Sequence, residues 1–151
     1  MILRWMLAAL HLLALGIGLG AVWARGRALR GELDTRALHR VFRADVWWGA
    51  AAVLWISTGL WRFLAGLEKG TSYYLQNHLF LTKMGLLLVV LVLEVRPMVT
   101  LIRWRRATAS GRPLDTASAP SIATISFVQA GLVVLMVLAA TAMARGIGAP
   151  H

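Results

Sequence analysis

The chain has 151 residues, of which 59% are hydrophobic and 15% are charged; its formal net charge is +10 and it contains no cysteine. A soluble domain of this length could not bury so much apolar surface, so the composition indicates a single domain that contacts the lipid bilayer. Disulfides, thiolate metal sites and cysteine nucleophiles are excluded. The arginines lie between apolar runs and not on a basic face of a soluble fold, which argues against a nucleic-acid partner.

The first apolar run, residues 5–23, is long enough to cross a membrane as a helix. It carries His11 roughly two turns from its start. A histidine at membrane depth is a metal or haem ligand, a proton relay, or a hydrogen-bonding residue in helix packing. The connection that follows is rich in arginine: Arg25, Arg27, Arg30, Arg36, Arg40 and Arg43.

The second run, residues 46–67, places Trp48, Trp55 and Arg62 at seven-residue spacing, and therefore nearly on one helical stripe. Trp55 falls in the middle of the membrane, where it either walls a flat ring or packs against other helices. Arg62 near the end of the run either pairs with an anionic ligand group or extends to the interface.

The third run, residues 78–101, begins with His78 and contains two charges, Lys83 and Glu94, among apolar residues. A charge inside a membrane helix costs about 2.5 to 3.5 kcal/mol on insertion scales, so such residues usually face a bundle interior. The two positions are about three helical turns apart, so they share a face but cannot pair with each other. Extension of each side chain to the nearer interface is the alternative.

The fourth run, residues 121–144, has Gln129 as its strongest polar residue. The fold class is therefore predicted to be all-α, a four-helix transmembrane bundle. The first and third connections carry most of the arginines, whereas the second carries only Lys69. The positive-inside rule then places both connections in the cytoplasm and both termini outside.

Two histidines and a lysine are expected at a common depth. His11 lies in a helix that starts outside, and His78 and Lys83 lie near the outer start of the third helix. Two histidines on neighbouring helices could ligate one haem iron.

Several short motifs carry a family resemblance. They are Arg4-Trp5 followed by His11, the inner Arg27, the segment Leu38–Arg43, and Lys83 before a Leu/Val run. This order resembles the small four-helix membrane protoporphyrinogen oxidases of the HemJ type. Over essentially the whole chain it resembles more closely a family of bacterial predicted membrane proteins of unknown function (domain-of-unknown-function family 2214). Two positions depart from the oxidases: Leu81 and Glu94 stand where those proteins tend to have histidines.

The resemblance implies haem b binding and redox activity in a multi-pass protein of the bacterial inner membrane. The alternative is a non-enzymatic accessory subunit, or a proton or ion pathway, without haem. A homo-oligomer is compatible with either. Haem or a porphyrin would contact His11, His78, Lys83, Arg62 and Trp55, with His11 and His78 on the iron; Lys83, Glu94 and Arg27 would form a polar seam.

Overall fold

The structure is a computed structural model that describes residues 2–64 and 77–147. These residues form four long helices: α1 (Ile2–Ala28), α2 (Thr35–Leu64), α3 (His78–Ala109) and α4 (Ala119–Ala144). For this part of the chain, the prediction of an all-α fold with four helices is confirmed. Three of the helices, α1, α3 and α4, are long and apolar enough to span a membrane.

The helix α2 differs most from its prediction. It begins at Thr35, within the segment predicted as a connection, because the Asp34 carboxylate accepts a hydrogen bond from the Ala37 amide at 2.6 Å and caps the first turn. It is not among the helices that qualify as spans. Its tryptophans, its hydroxyl residues and Arg62 lower its hydropathy. The last residues of the predicted run, 65–67, lie outside the described part of the chain.

The helix α3 also continues beyond its prediction, to Ala109, and includes Pro97. The Asn77 side chain caps its start by accepting a hydrogen bond from the Leu79 amide at 2.9 Å. Pro97 is buried in the helix interior and does not end the helix.

The helices alternate in direction. Along α1, His11, Gly18 and Arg25 contact Thr58, Trp48 and Asp45 of α2 in turn, so rising numbers on one helix meet falling numbers on the other. The helix α4 runs antiparallel to α1 in the same way, since Arg25 meets Gln129, and Ala8 and Ala144 line one cavity. The helices α1 and α2 lie close together at Gly18, where a Cβ would be in van der Waals contact with Trp48 and Ala51 side-chain atoms at 3.4 Å.

The interior has an apolar middle with a polar group on either side of it. Buried residues of the middle include Val22, Trp48, Val90 and Val133, contributed by all four helices. A polar group around His11 lies on one side, nearer the start of α1, and a polar group around Arg25 lies on the other. These two groups are the candidate functional regions.

Candidate functional site

A cavity of about 540 Å³ opens between the four helices at the end where α1 starts and α4 ends. Each helix contributes to its wall, with His11 from α1, Arg62 from α2 and Lys83 from α3. We call it the His11 cavity. Most of the remaining wall is apolar, and it includes Phe63 and Phe80, whose rings stack at 5.4 Å between centroids with 13° between their planes. Two cationic side chains therefore border an apolar space.

Two hydrogen bonds hold the His11 ring against α2. Trp55 Nε1 donates to His11 Nε2 at 3.0 Å, and His11 Nδ1 lies 3.0 Å from Thr58 Oγ1. An indole N–H can only donate, so Nε2 must be the acceptor and the proton of the neutral ring must sit on Nδ1. Thr58 directs its own hydroxyl hydrogen to the Leu54 carbonyl at 2.7 Å, which leaves its oxygen free to accept from Nδ1.

A glycine makes room for this ring. A Cβ at Gly59 would lie 3.0 Å from His11 Cε1, closer than side-chain carbons ordinarily approach. The local sequence Trp55-Ile-Ser-Thr58-Gly59 therefore supplies a donor, an acceptor and a gap on one face of α2, at i, i+3 and i+4.

The predicted site residues separate into two groups. His11, Arg62 and Lys83 line the same cavity, whereas Trp55 lies behind His11 as its hydrogen-bond donor. His78 is exposed at the start of α3 and is not among the residues that line the cavity. His11 and Lys83, which were expected at a common depth, line the same cavity. The structure does not bring His78 to His11 there.

The fit of this site to haem iron is poor. The lone pair of His11 Nε2 is directed at the Trp55 N–H, and Nδ1 carries the proton that Thr58 accepts. Neither ring nitrogen therefore offers a lone pair to a metal in this arrangement. Within residues 2–64 and 77–147, no group of three or more histidine or acidic side chains could hold a metal ion.

The second polar group, which we call the Arg25 cluster, lies toward the α1–α2 connection. Arg25 is fully buried and uses all five of its N–H donors. Two of them go to Glu94 of α3, at 2.7 and 2.8 Å, in a bidentate pair. The other three reach Asp45 of α2 at 2.9 Å, Gln129 of α4 at 2.9 Å and Ser126 of α4 at 3.0 Å.

The partners of Arg25 are themselves satisfied. Gln129 Nε2 donates to Glu94 Oε2 at 2.8 Å and to the Val90 carbonyl at 3.1 Å. Asp45 accepts from Arg105 Nη2 at 2.7 Å through its second oxygen. Two arginines thus face two carboxylates, and the cluster joins all four helices with balanced charge. A buried polar network in which these groups are all paired is typical of a structural role.

The three residues predicted to form one polar seam are separated: Lys83 lines the His11 cavity, Glu94 belongs to the Arg25 cluster, and Arg27 belongs to neither. Arg27 is exposed, whereas Arg25 pairs with Glu94. The two positions differ by about 200° around the helix axis. Asp45, Ser126 and Gln129 were not predicted as members of a site; the signal was present in Gln129, an isolated amide in an otherwise apolar helix.

Comparison with curated proteins and with solved structures found no match. A family model described as "Predicted membrane protein (DUF2214)" matches residues 3–148. With nearly the whole length matched, with three helices able to span a membrane and with charges buried between helices, this chain belongs to the DUF2214 family of predicted membrane proteins.

Proposed function

We propose that this membrane protein binds an apolar ligand with carboxylate groups in the His11 cavity. The observation that carries the proposal is the convergence of Arg62 and Lys83, from two helices, on one apolar cavity. Cations placed in a membrane bundle are costly, and they are usually retained for a ligand or an ion. Carboxylates would pair with the two cations, while the apolar body would pack between the helices.

Haem and porphyrins are the ligands that the resemblance to the HemJ-type oxidases suggests, and both carry two propionates on a flat apolar ring. Arg62 and Lys83 would bind the propionates, and Phe63 and Phe80 would border the ring. When bound, haem would supply electron transfer. Iron ligation through His11 Nε2 requires the Trp55 indole to withdraw, so recognition through the carboxylates is the form that the geometry supports.

Binding through the carboxylates and binding through the iron can be told apart by titrating the protein, purified in lipid nanodiscs, with metal-free protoporphyrin and with haem. Arg62→Gln with Lys83→Gln should weaken binding of both ligands about tenfold or more, which corresponds to loss of charge-assisted contacts. Arg4→Gln with Arg145→Gln removes two exposed cations from the same end and should leave affinity unchanged. Equal binding by both double variants would contradict the proposal.

Iron ligation has a separate signature. If His11 ligates haem, Trp55→Phe removes the donor that competes for Nε2 and should tighten haem binding, while leaving the affinity for metal-free porphyrin unaffected. His11→Ala should shift the Soret band, and Glu94→Gln should leave it unchanged. An unchanged Soret band in His11→Ala would exclude the ligating role of His11.

The alternative of a proton or ion pathway would connect the His11 cavity with the Arg25 cluster. In the described residues, Leu15, Leu86, Leu87 and Met136 pack around Ala14 and Trp55 between these regions. An apolar layer of this kind favours ligand binding over conduction. No feature of the described residues favours the role of a non-enzymatic accessory subunit over ligand binding.

We also propose that all four helices cross the membrane, with both termini outside, in a bacterial inner membrane. The support for α2 is its antiparallel contact with α1 from Arg25–Asp45 to His11–Thr58, a distance of about 21 Å along the axis. Contact over this length covers most of a hydrocarbon core of about 30 Å, which supports a crossing of α2 beside α1. Self-association would add contacts outside this bundle and is tested by the mass of the purified complex.

A further inference from the structure

A groove of about 820 Å³ lies between α1 and α2 at the end of the molecule that carries their connection. It is separate from the His11 cavity and has no part in the proposed function. Three arginines border it, Arg27 from α1 and both Arg40 and Arg43 from α2. We call it the arginine groove.

The arginines of the groove are exposed, and among the described residues none of the three makes a side-chain hydrogen bond or an ion pair. Other arginines nearby are engaged: Arg25 is saturated, and Arg30 lies over the Phe127 ring at 4.4 Å. Glu32 is the single acid among the residues that line the groove, so its charge is net positive.

Each wall of the groove carries a tryptophan that lies one helical turn deeper in the bundle than an arginine. Trp23 lies one turn before Arg27 on α1, and Trp47 lies one turn after Arg43 on the antiparallel α2. On each helix the tryptophan is therefore about 6 Å deeper in the bundle than the arginine. Indole rings favour the membrane interface, and arginines favour the level of lipid phosphates.

Small residues form the floor between these walls. Ala24 and Ala28 lie on α1, Gly31 follows the end of that helix, and Ala44 lies on α2. Trp23 is positioned by an edge-on contact with Phe127, at 4.9 Å between centroids and 76° between planes. The groove thus has an indole ring on each wall, one of them held by Phe127, and guanidinium groups at one end.

We propose that the arginine groove is a binding site for one anionic phospholipid of the leaflet on that side. The phosphate and headgroup lie among Arg27, Arg40 and Arg43, whose planar guanidinium groups can bind phosphate oxygens in pairs. The glycerol and upper acyl chain lie between Trp23 and Trp47. The net positive charge of the groove selects an anionic lipid over a zwitterionic one, because both kinds of lipid carry a phosphate at the same depth.

Contact quenching of tryptophan by brominated lipid tests this site in nanodiscs of phosphatidylcholine. Brominated phosphatidylglycerol at low mole fraction should quench the groove tryptophans more than brominated phosphatidylcholine does at the same fraction. The difference between the native protein and a Trp23→Phe/Trp47→Phe variant isolates the signal of these two residues. Equal quenching by both lipids in the native protein would overturn the proposal.

Arginine variants test the charge requirement. Arg27→Gln/Arg40→Gln/Arg43→Gln should lower the preference for the anionic lipid about tenfold or more, since each surface arginine contributes about fivefold. Arg96→Gln/Arg103→Gln/Arg106→Gln removes three exposed arginines of α3 and should retain the preference. Equal loss in both variants would show a diffuse surface charge and no site.

A third variant keeps every charge. Ala24→Phe fills the floor of the groove and should abolish the preference while the arginines remain; an unchanged preference would overturn the binding site. Because Ala24 is exposed, this substitution still tests the site if the arginine variant fails to fold. A free phosphate ester is the other source of the same chemistry. If millimolar glycerol phosphate removes the lipid preference, the groove binds soluble phosphate and the lipid assignment is wrong.

Discussion

The hydrogen bonds of His11 show how one residue can limit the chemistry of a cavity. Trp55 and Thr58 impose one tautomer and one ring orientation, with Nε2 accepting and Nδ1 donating. The carbon edge of the ring lies against Gly59. The residue that was the strongest candidate for a metal ligand is therefore engaged in helix packing, and the cations Arg62 and Lys83 line the space beside it.

The acceptor for His11 can be removed with little change of shape. Thr58→Val should lower the free energy of unfolding by about 1 to 3 kcal/mol, because it leaves the buried Nδ1–H without its partner. Ser57→Ala is the matched control: Ser57 is exposed and its hydroxyl only donates to the Leu54 carbonyl. Thermal unfolding in detergent measures both. Equal stability of the two variants would contradict the hydrogen-bond assignment.

The glycine beside His11 makes a second prediction at this scale. Alanine usually stabilises a helix by up to about 1 kcal/mol relative to glycine, and Gly49→Ala should show this gain because nothing lies within 4 Å of its added Cβ. Gly59→Ala should lose the gain or destabilise, since its Cβ would meet His11 Cε1. Melting temperatures of the two variants check the difference; a gain at Gly59 equal to that at Gly49 would refute the close packing.

At the scale of the elements, the Arg25 cluster explains why these four helices pack in one arrangement. Lipid provides no hydrophobic force between helices, so hydrogen bonds and close packing determine their association. Each helix contributes at least one polar group to Arg25 or its partners, and the guanidinium has no donor left over. A rotated or shifted helix would leave one of these groups unpaired in an apolar interior.

Removal of Arg25 should therefore be among the most damaging single substitutions. Arg25→Met leaves Glu94 and Asp45 without their shared partner, and the loss of one member of a buried ion pair typically costs about 3 to 5 kcal/mol. Arg27→Met, two residues away and exposed, should change stability by about 0.5 kcal/mol or less. Denaturant titration of both variants measures the contrast. Similar losses of stability in the two variants would contradict the structural role of the Arg25 cluster.

At the scale of the whole molecule, the crossing of α2 decides the topology. Reporter fusions at positions 35 and 110 should both read cytoplasmic, and a fusion at position 70 should read external, because the arginine-rich connections are retained inside. If α2 does not cross, the fusions at 35 and 70 will read the same side. A periplasmic reading at 35 or 110 would refute the proposed orientation.

The low hydropathy of α2 has a tertiary explanation. Its buried residues include Trp48, Trp55 and Thr58, which face other helices and not lipid. A helix whose polar atoms are satisfied by neighbours needs less apolar surface than an isolated span. The sequence run from 46 was therefore a sound basis for predicting a helix, while the helix start at Thr35 depends on a local cap and on the packing of Leu38 and Val41.

The sequence by itself determined the four helices of the described residues, though not where α2 begins or α3 ends, and the class of protein. Hydropathy is a sum over neighbouring residues, so long apolar runs such as 121–144 are visible without any knowledge of the fold. It also indicated that Lys83 and Glu94 would face protein, because the cost of charge in lipid does not depend on the partner. Lys83 lines a cavity, and Glu94 pairs with Arg25.

Only the tertiary structure decided which polar residues meet. The helix α1 is apolar on all sides, so its sequence carries no face that would distinguish Arg25 from Arg27. The rotation of α1 against its neighbours makes that choice: it buries Arg25 among Asp45, Glu94 and Gln129 and leaves Arg27 to the arginine groove. The same packing brings Trp55 onto His11 Nε2, a contact 44 residues apart in sequence that no local pattern contains.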